Sequence, residues 1–133
     1  MKNRFYRGER LKSRKEIQGL FGRQSMSLSS YPLRLIYTEM EEKRGNYPLQ
    51  VAFSVPKRRY KQAVRRNRIK RLMRESFRLN KQLILNKLPT DAPQYAWMIL
   101  YVGKEEMSYH YIDRKMRKLM LQFSSRLTKD DQL

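Results

Sequence analysis

The chain has no cysteine, which excludes disulfides and thiolate metal sites. It has one histidine, His110. A two-histidine acid–base pair therefore cannot form within one chain, and a zinc site would need mostly carboxylates, an unusual donor set. Acidic residues are scarce as well, 12 against 31 Lys and Arg. Most fall in three small clusters, Glu39/Glu41/Glu42, Glu105/Glu106 and Asp130/Asp131, and none has the spacing of a two-metal nuclease centre. No catalytic residue and no metal ligand is expected in the protein. Long apolar runs are missing too. Nothing approaches the ~18 residues of a spanning helix, and the basic N-terminus is not followed by the apolar core of a signal peptide. The expectation is a cytoplasmic protein that does not enter a membrane and has no obligate protein partner.

What is abundant is positive charge. The formal net charge is +19 over 133 residues, more than solubility requires, so a polyanion is the expected partner. The length suits one domain, residues 1–133, with flexible ends at about 1–8 and 128–133. The charge concentrates between Lys57 and Lys81, where twelve of twenty-five residues are Lys or Arg against one acid, Glu75. Within this stretch Ile69, Leu72, Met73 and Phe77, continued by Leu83, Ile84 and Leu88, keep the period of one helix face. Arg68, Lys70, Arg71, Arg74, Arg78 and Lys81 fall on the other faces. The pattern predicts a helix that packs one side and presents a cationic side outward. One turn before Ile69 the apolar stripe gives way to Arg65, Arg66 and Asn67. Guanidinium forks beside a carboxamide suit phosphate and sugar edges, because Arg binds oxyanions bidentately and Asn both donates and accepts.

The remaining elements are legible from pattern. Ser13-x-x-Glu16 is a capping box opening a short helix with Ile17, Leu20 and Phe21, stopped near Gly22. Ser25–Ser30 is small and polar and reads as a loop. Leu33–Thr38 has strand character, Gly45-Asn46 marks a turn, and Gln50–Val55 alternates as a half-buried strand. Pro89 and Pro93 bracket a loop, and Tyr95–Val102 reads as a central strand covered on both faces. Ser108 caps a last helix carrying Ile112, Met116, Leu119, Met120, Phe123 and Leu127. The fold class is α+β: one sheet of about four strands with three helices, in the order α-β-β-(β)-α-β-α. Phe53, Trp97 and Phe123 belong to the core.

The chain resembles the protein subunit of bacterial ribonuclease P. The matching residues are Phe53-Ser54-Val55-Pro56-Lys57-Arg58 and, after a loop, Ala63-Val64-Arg65-Arg66-Asn67-Arg68-Ile69-Lys70-Arg71. The chain departs from the family in the loop Arg59-Tyr60-Lys61-Gln62, which has no glycine, and at Ile17, where the family has an aromatic residue. The resemblance implies a left-handed β-α-β crossover. It also implies a ribonucleoprotein whose RNA is the catalyst, uses bound Mg2+, and removes the 5′ leader of precursor tRNA. Implied contacts with the catalytic RNA are Arg65, Arg66, Asn67, Arg68, Lys70, Arg71 and Arg74. Implied contacts with the single-stranded leader are Ile17, Phe21, Tyr37, Lys57 and Arg58, where Phe21 and Tyr37 could equally be core residues.

Two other function classes share the charge. A ribosomal-type or chaperone RNA-binding module would have the same composition but no reason to carry the Ser54–Arg71 string. A DNA-binding regulator would present base-reading side chains, whereas this helix exposes almost only Arg and Lys, which is phosphate chemistry.

Overall fold

The computed structural model describes residues 4–22, 24–89 and 91–131, with side chains described as far as 127. A 3-10 turn at Arg7–Glu9 precedes α1 (Arg14–Gly19), β1 (Met26–Ser30), β2 (Leu33–Glu39) and β3 (Leu49–Ser54). Then follow α2 (Ala63–Asn80), α3 (Gln82–Leu85), β4 (Tyr95–Tyr101) and α4 (Tyr109–Asp131). The sheet is four-stranded in the order β1-β2-β4-β3. β1–β2 and β2–β4 are antiparallel, while β3 and β4 run parallel and are joined by the crossover through α2 and α3. The α+β class and the element order follow the sequence pattern.

Period-2 alternation assigns the two faces of the sheet. Leu33, Leu35 and Tyr37 of β2 share one face with Val51 of β3 and with Tyr95, Trp97, Ile99 and Tyr101 of β4. Against it pack Ile69, Met73 and Phe77 of α2 and Ile112, Met116, Leu119, Met120 and Phe123 of α4. The opposite face is a thinner layer, in which Ala96 and Met98 meet Leu11 and Leu20, with Ile17, Ile36, Ala52 and Leu100 at its border. β4 is thus apolar on both sides because α1 covers the second face in part. Phe53, Trp97 and Phe123 pack in or against the main core.

Local signals account for most boundaries. The Ser13 hydroxyl accepts from the Glu16 N–H at 3.3 Å and opens α1. The Ser108 hydroxyl accepts from the Tyr111 N–H at 3.2 Å and opens α4. Gly45 turns the β2–β3 connection with φ of 73°, a conformation glycine adopts without cost.

Four expectations are corrected. Ser25–Ser30 is not a loop, since Met26–Ser30 forms the edge strand β1, paired with β2 across Tyr31-Pro32. An edge strand needs partners along one side only, so serines suffice where Leu28 packs inward and Ser30 is buried. The basic helix ends at Asn80, and Leu83–Leu88 belongs to α3 and the turn after it.

Lys81 is not an outward cation. It is 2% exposed and pairs with Glu9, 3% exposed, at 2.8 and 3.1 Å, while its ammonium also donates to the Arg4 carbonyl and lies 5.0 Å from the Tyr6 ring centre. That clasp explains the fourth correction. Residues 4–8, expected to be flexible, lie against the body, with Phe5 edge-on to both Phe53 and Phe77. Residues 128–131, within the same expectation, continue α4, and residues 1–3 and 132–133 lie outside the described residues. No described helix is long and apolar enough to cross a membrane.

Candidate nucleic-acid interface

α2 buries Ile69, Met73, Ser76 and Phe77, and these positions fix which side chains face out. Arg68, Arg71 and Arg74 are exposed, as is Asn67, while Arg65, Arg66 and Lys70 are half-buried. The expected cluster therefore lies on one helix, but its members differ in what they already hold. Arg66 closes the loop before the helix: its Nη1 donates to the carbonyls of Tyr60 at 2.7 Å and Lys61 at 2.8 Å. Arg65 and Arg68 reach one carboxylate, Glu106, at 2.7 and 3.2 Å. The hydrogen bond from Arg65 is the main cause holding the Glu106 carboxyl below its ordinary range. Further along, Arg78 pairs with Glu75 at 2.5 Å, leaving Arg71 and Arg74 as cations with no ion pair among the described residues.

Lys70 and Arg74 line a cleft of about 420 Å³ whose far wall is the chain before α1, including Arg10 and Lys12. The Arg10 backbone bridges to Val51 of β3 in parallel, and the Leu11 N–H donates to the Val51 carbonyl at 3.0 Å. Two cationic walls thus flank the edge of the sheet. Arg10 and Lys12 were not among the expected site residues. Their local sequence gives no periodicity, and only the strand-like docking of residues 10–11 brings them opposite α2. α4 adds exposed Arg114, Arg117 and Lys118, outward because Ile112, Met116 and Leu119 face the core. The helical period of α4 implied these positions.

The second group of expected residues is divided by the sheet. Ile17 is half-buried on the α1 face, and Phe21, just beyond α1, is 68% exposed with an open ring. Lys57 and Arg58 are exposed, three and four residues beyond the end of β3. Tyr37 is elsewhere: it is 4% exposed on the opposite face, edge-on to Phe123 at 4.9 Å. It cannot present a ring face, and it lies on the face of the sheet away from α1, whose end carries Phe21. The reason is the pleat, since Leu33, Leu35 and Tyr37 alternate inward together. The neighbour Ile36 borders the α1 face, in register with Met98 and Ala52. The next row of that face is Arg34, Leu100 and Ser54, with Arg34 exposed, and it lies at the end of β3 that leads to Lys57.

Among the described residues, no group of three or more His, Asp or Glu side chains is placed to hold a metal ion. His110 is exposed in the first turn of α4.

The family model described as Ribonuclease P matches residues 5–124. The chain belongs to the ribonuclease P protein family. A ribonuclease P protein component from Porphyromonas gingivalis is 37% identical over 119 residues, covering 89% of this chain and 85% of the relative. One from Chlorobaculum tepidum is 39% identical over 92 residues, covering 68% and 59%. In fold, the chain is similar to the RNase P protein of Staphylococcus aureus, with TM-score 0.65 and 20% identity over 87% of this chain and 94% of that one. It is likewise similar to the RNase P protein of Thermotoga maritima, with TM-score 0.64 and 22% identity over 84% and 94%. Membership of the ribonuclease P family implies a part in tRNA 5′ processing.

Proposed function

We propose that this chain is the RNA-binding protein subunit of a ribonuclease P ribonucleoprotein, in which a catalytic RNA hydrolyses precursor tRNA to release the 5′ leader. The family match over residues 5–124 carries this reading. The layout of charge supports it. The outward face of α2, from Arg65 to Arg74, takes the backbone of the catalytic RNA, with Arg66 acting through the loop it closes. Phosphate contacts of this kind position a protein without reading sequence. The leader lies on the α1 face of the sheet. Ile17 gives apolar contact, Phe21 a stacking platform, and Lys57, Arg58 and Arg34 a cationic track, the combination that holds single strands. Tyr37 has no part in this cleft.

Magnesium belongs to the RNA in this scheme. The protein's contribution is to reduce phosphate repulsion where two RNAs meet, which lowers the concentration of divalent cation the RNA requires. The test is reconstitution. Adding the purified protein to a bacterial ribonuclease P RNA should restore precursor-tRNA cleavage at low magnesium. RNA binding without any stimulation of cleavage would instead indicate a plain RNA-binding module.

A further inference from the structure

Glu106 is held more deliberately than a surface acid requires. It sits in the loop between β4 and α4, where the Tyr101 hydroxyl donates to the Glu105 carbonyl at 2.6 Å and accepts from the Met107 N–H at 3.1 Å. The loop is fixed again at Gly103, whose carbonyl accepts from the buried Tyr60 hydroxyl at 2.9 Å. Tyr60 in turn lies under the Arg65 guanidinium, 5.0 Å from ring centre to Cζ. Two aromatic hydroxyls therefore set the loop on both sides of Glu106. They aim its carboxylate so that one oxygen meets Arg65 and the other Arg68.

A carboxylate that engages two guanidinium groups through separate oxygens presents the same bonding pattern as a backbone phosphodiester. Arg65 and Arg68 remain 41% and 56% exposed, so a polyanion can approach them from solvent, while Glu106 is 26% exposed. We infer that Arg65 and Arg68 form a phosphate-binding site in which Glu106 stands in for an RNA phosphate, as a latch that RNA must displace. This rests on the RNA-binding reading above and adds to it an internal competitor. In the protein alone the latch limits self-repulsion at the start of α2. In the complex the two forks pass to a phosphate, and the Glu106 side chain gives way.

Glu106→Gln keeps the shape and one acceptor while removing the competing charge. Its neighbour supplies the control. Glu105→Gln removes the same charge one residue away, where no ion pair is formed among the described residues. Affinity for a bacterial ribonuclease P RNA transcript, measured by filter binding at fixed salt, should rise about 2- to 10-fold in Glu106→Gln, the size of effect open ion pairs give. Glu105→Gln should change it less than 2-fold. Glu106→Ala should behave as Glu106→Gln does, which covers misfolding of either variant, and thermal unfolding should confirm that both are folded. Equal tightening in the Glu105 and Glu106 variants would reduce the effect to net charge and overturn the latch. Weakened binding in Glu106→Gln would overturn it too, by showing that the carboxylate presents the arginines rather than competing for them. If the wild-type chain fails to bind the RNA at all, the RNA-binding reading itself falls.

Discussion

Replacing Lys81 with Met tests the most buried cation among the described residues of a strongly basic chain. The ammonium and the Glu9 carboxylate are both nearly solvent-free and lie 2.8 Å apart. Removing one partner leaves the other as an uncompensated buried charge, which typically costs about 3–5 kcal/mol. Glu9 keeps one donor, the Tyr6 N–H at 2.9 Å, so the lower end of that range applies. The expected loss is about 3 kcal/mol, or roughly 10 °C in Tm for a domain of this size. Urea unfolding of Lys81→Met measures it. Local detachment sets a ceiling, because residues 4–11 can leave the body when staying docked costs more than releasing Phe5 and Leu11. Amide exchange at Glu9 and Leu11 separates these outcomes. The double variant Glu9→Gln with Lys81→Met should recover most of the loss, since two neutral groups carry no stranded charge. A single-variant cost below about 1 kcal/mol, or a double variant as unstable as the single, would refute the account of the clasp.

Four further outcomes follow from the same reasoning. If about 6–10 phosphates are neutralised, affinity for RNA should fall about 10³- to 10⁵-fold between 50 and 200 mM monovalent salt, and a flat response would remove α2 as the main contact surface. Phe21→Ala should leave stability unchanged and weaken precursor tRNA by about 1–3 kcal/mol, with little effect on mature tRNA. Tyr37→Ala should instead cost about 3–5 kcal/mol of stability through the cavity it leaves, and selective loss of precursor binding without destabilisation would return Tyr37 to the cleft. Burial pushes the Tyr101 hydroxyl up to about 12 from 10.0. The neutral form is the one the fold favours, so its contribution is complete below pH 10 and is lost as pH rises through about 12. Tyr101→Phe should flatten stability across that window, and an unchanged alkaline slope would show that the hydroxyl is not responsible.

The sequence made some of this legible and hid the rest for identifiable reasons. The helical period from Ile69 to Phe77 located the core side of α2, and the capping serines Ser13 and Ser108 located two helix starts, because those signals are local. Alternation in Leu33–Tyr37 already placed Tyr37 with Leu33 and Leu35 on the buried side. The family resemblance named Tyr37 as a leader contact while its place in the core stayed open, and the alternation pointed to the right one of the two. β1 was hidden because backbone pairing at an edge makes few demands on side chains. Lys81 and Arg10 were hidden because their partners are distant in sequence: Glu9 and Val51 meet them only after residues 4–11 dock along the sheet.

The placement of the few acids explains how so basic a chain can keep a free cationic face. Glu9 ties the N-terminal segment to the end of α2 through Lys81, and Glu16 on α1 faces Arg44 of the β2–β3 connection at 3.6 Å. Asp113 of α4 accepts from Ser76 at 2.8 Å and from Asn80 at 2.7 Å, locking the two long helices together. Each of these carboxylates stands at a joint between elements, where a partner cation or hydroxyl is nearby and water is partly excluded, so its interactions are screened least. Glu106 belongs to the same series geometrically, but its partners remain open to solvent on their outer side. Acids placed at joints steady the fold without cancelling the outward charge of Arg71, Arg74 and Arg114, although Asp113 also pairs with Arg117 at 3.4 Å. Had the same carboxylates been spread along α2, the net charge would be identical and the attraction for a polyanion much weaker. For this chain the position of its negative charge matters more than its amount.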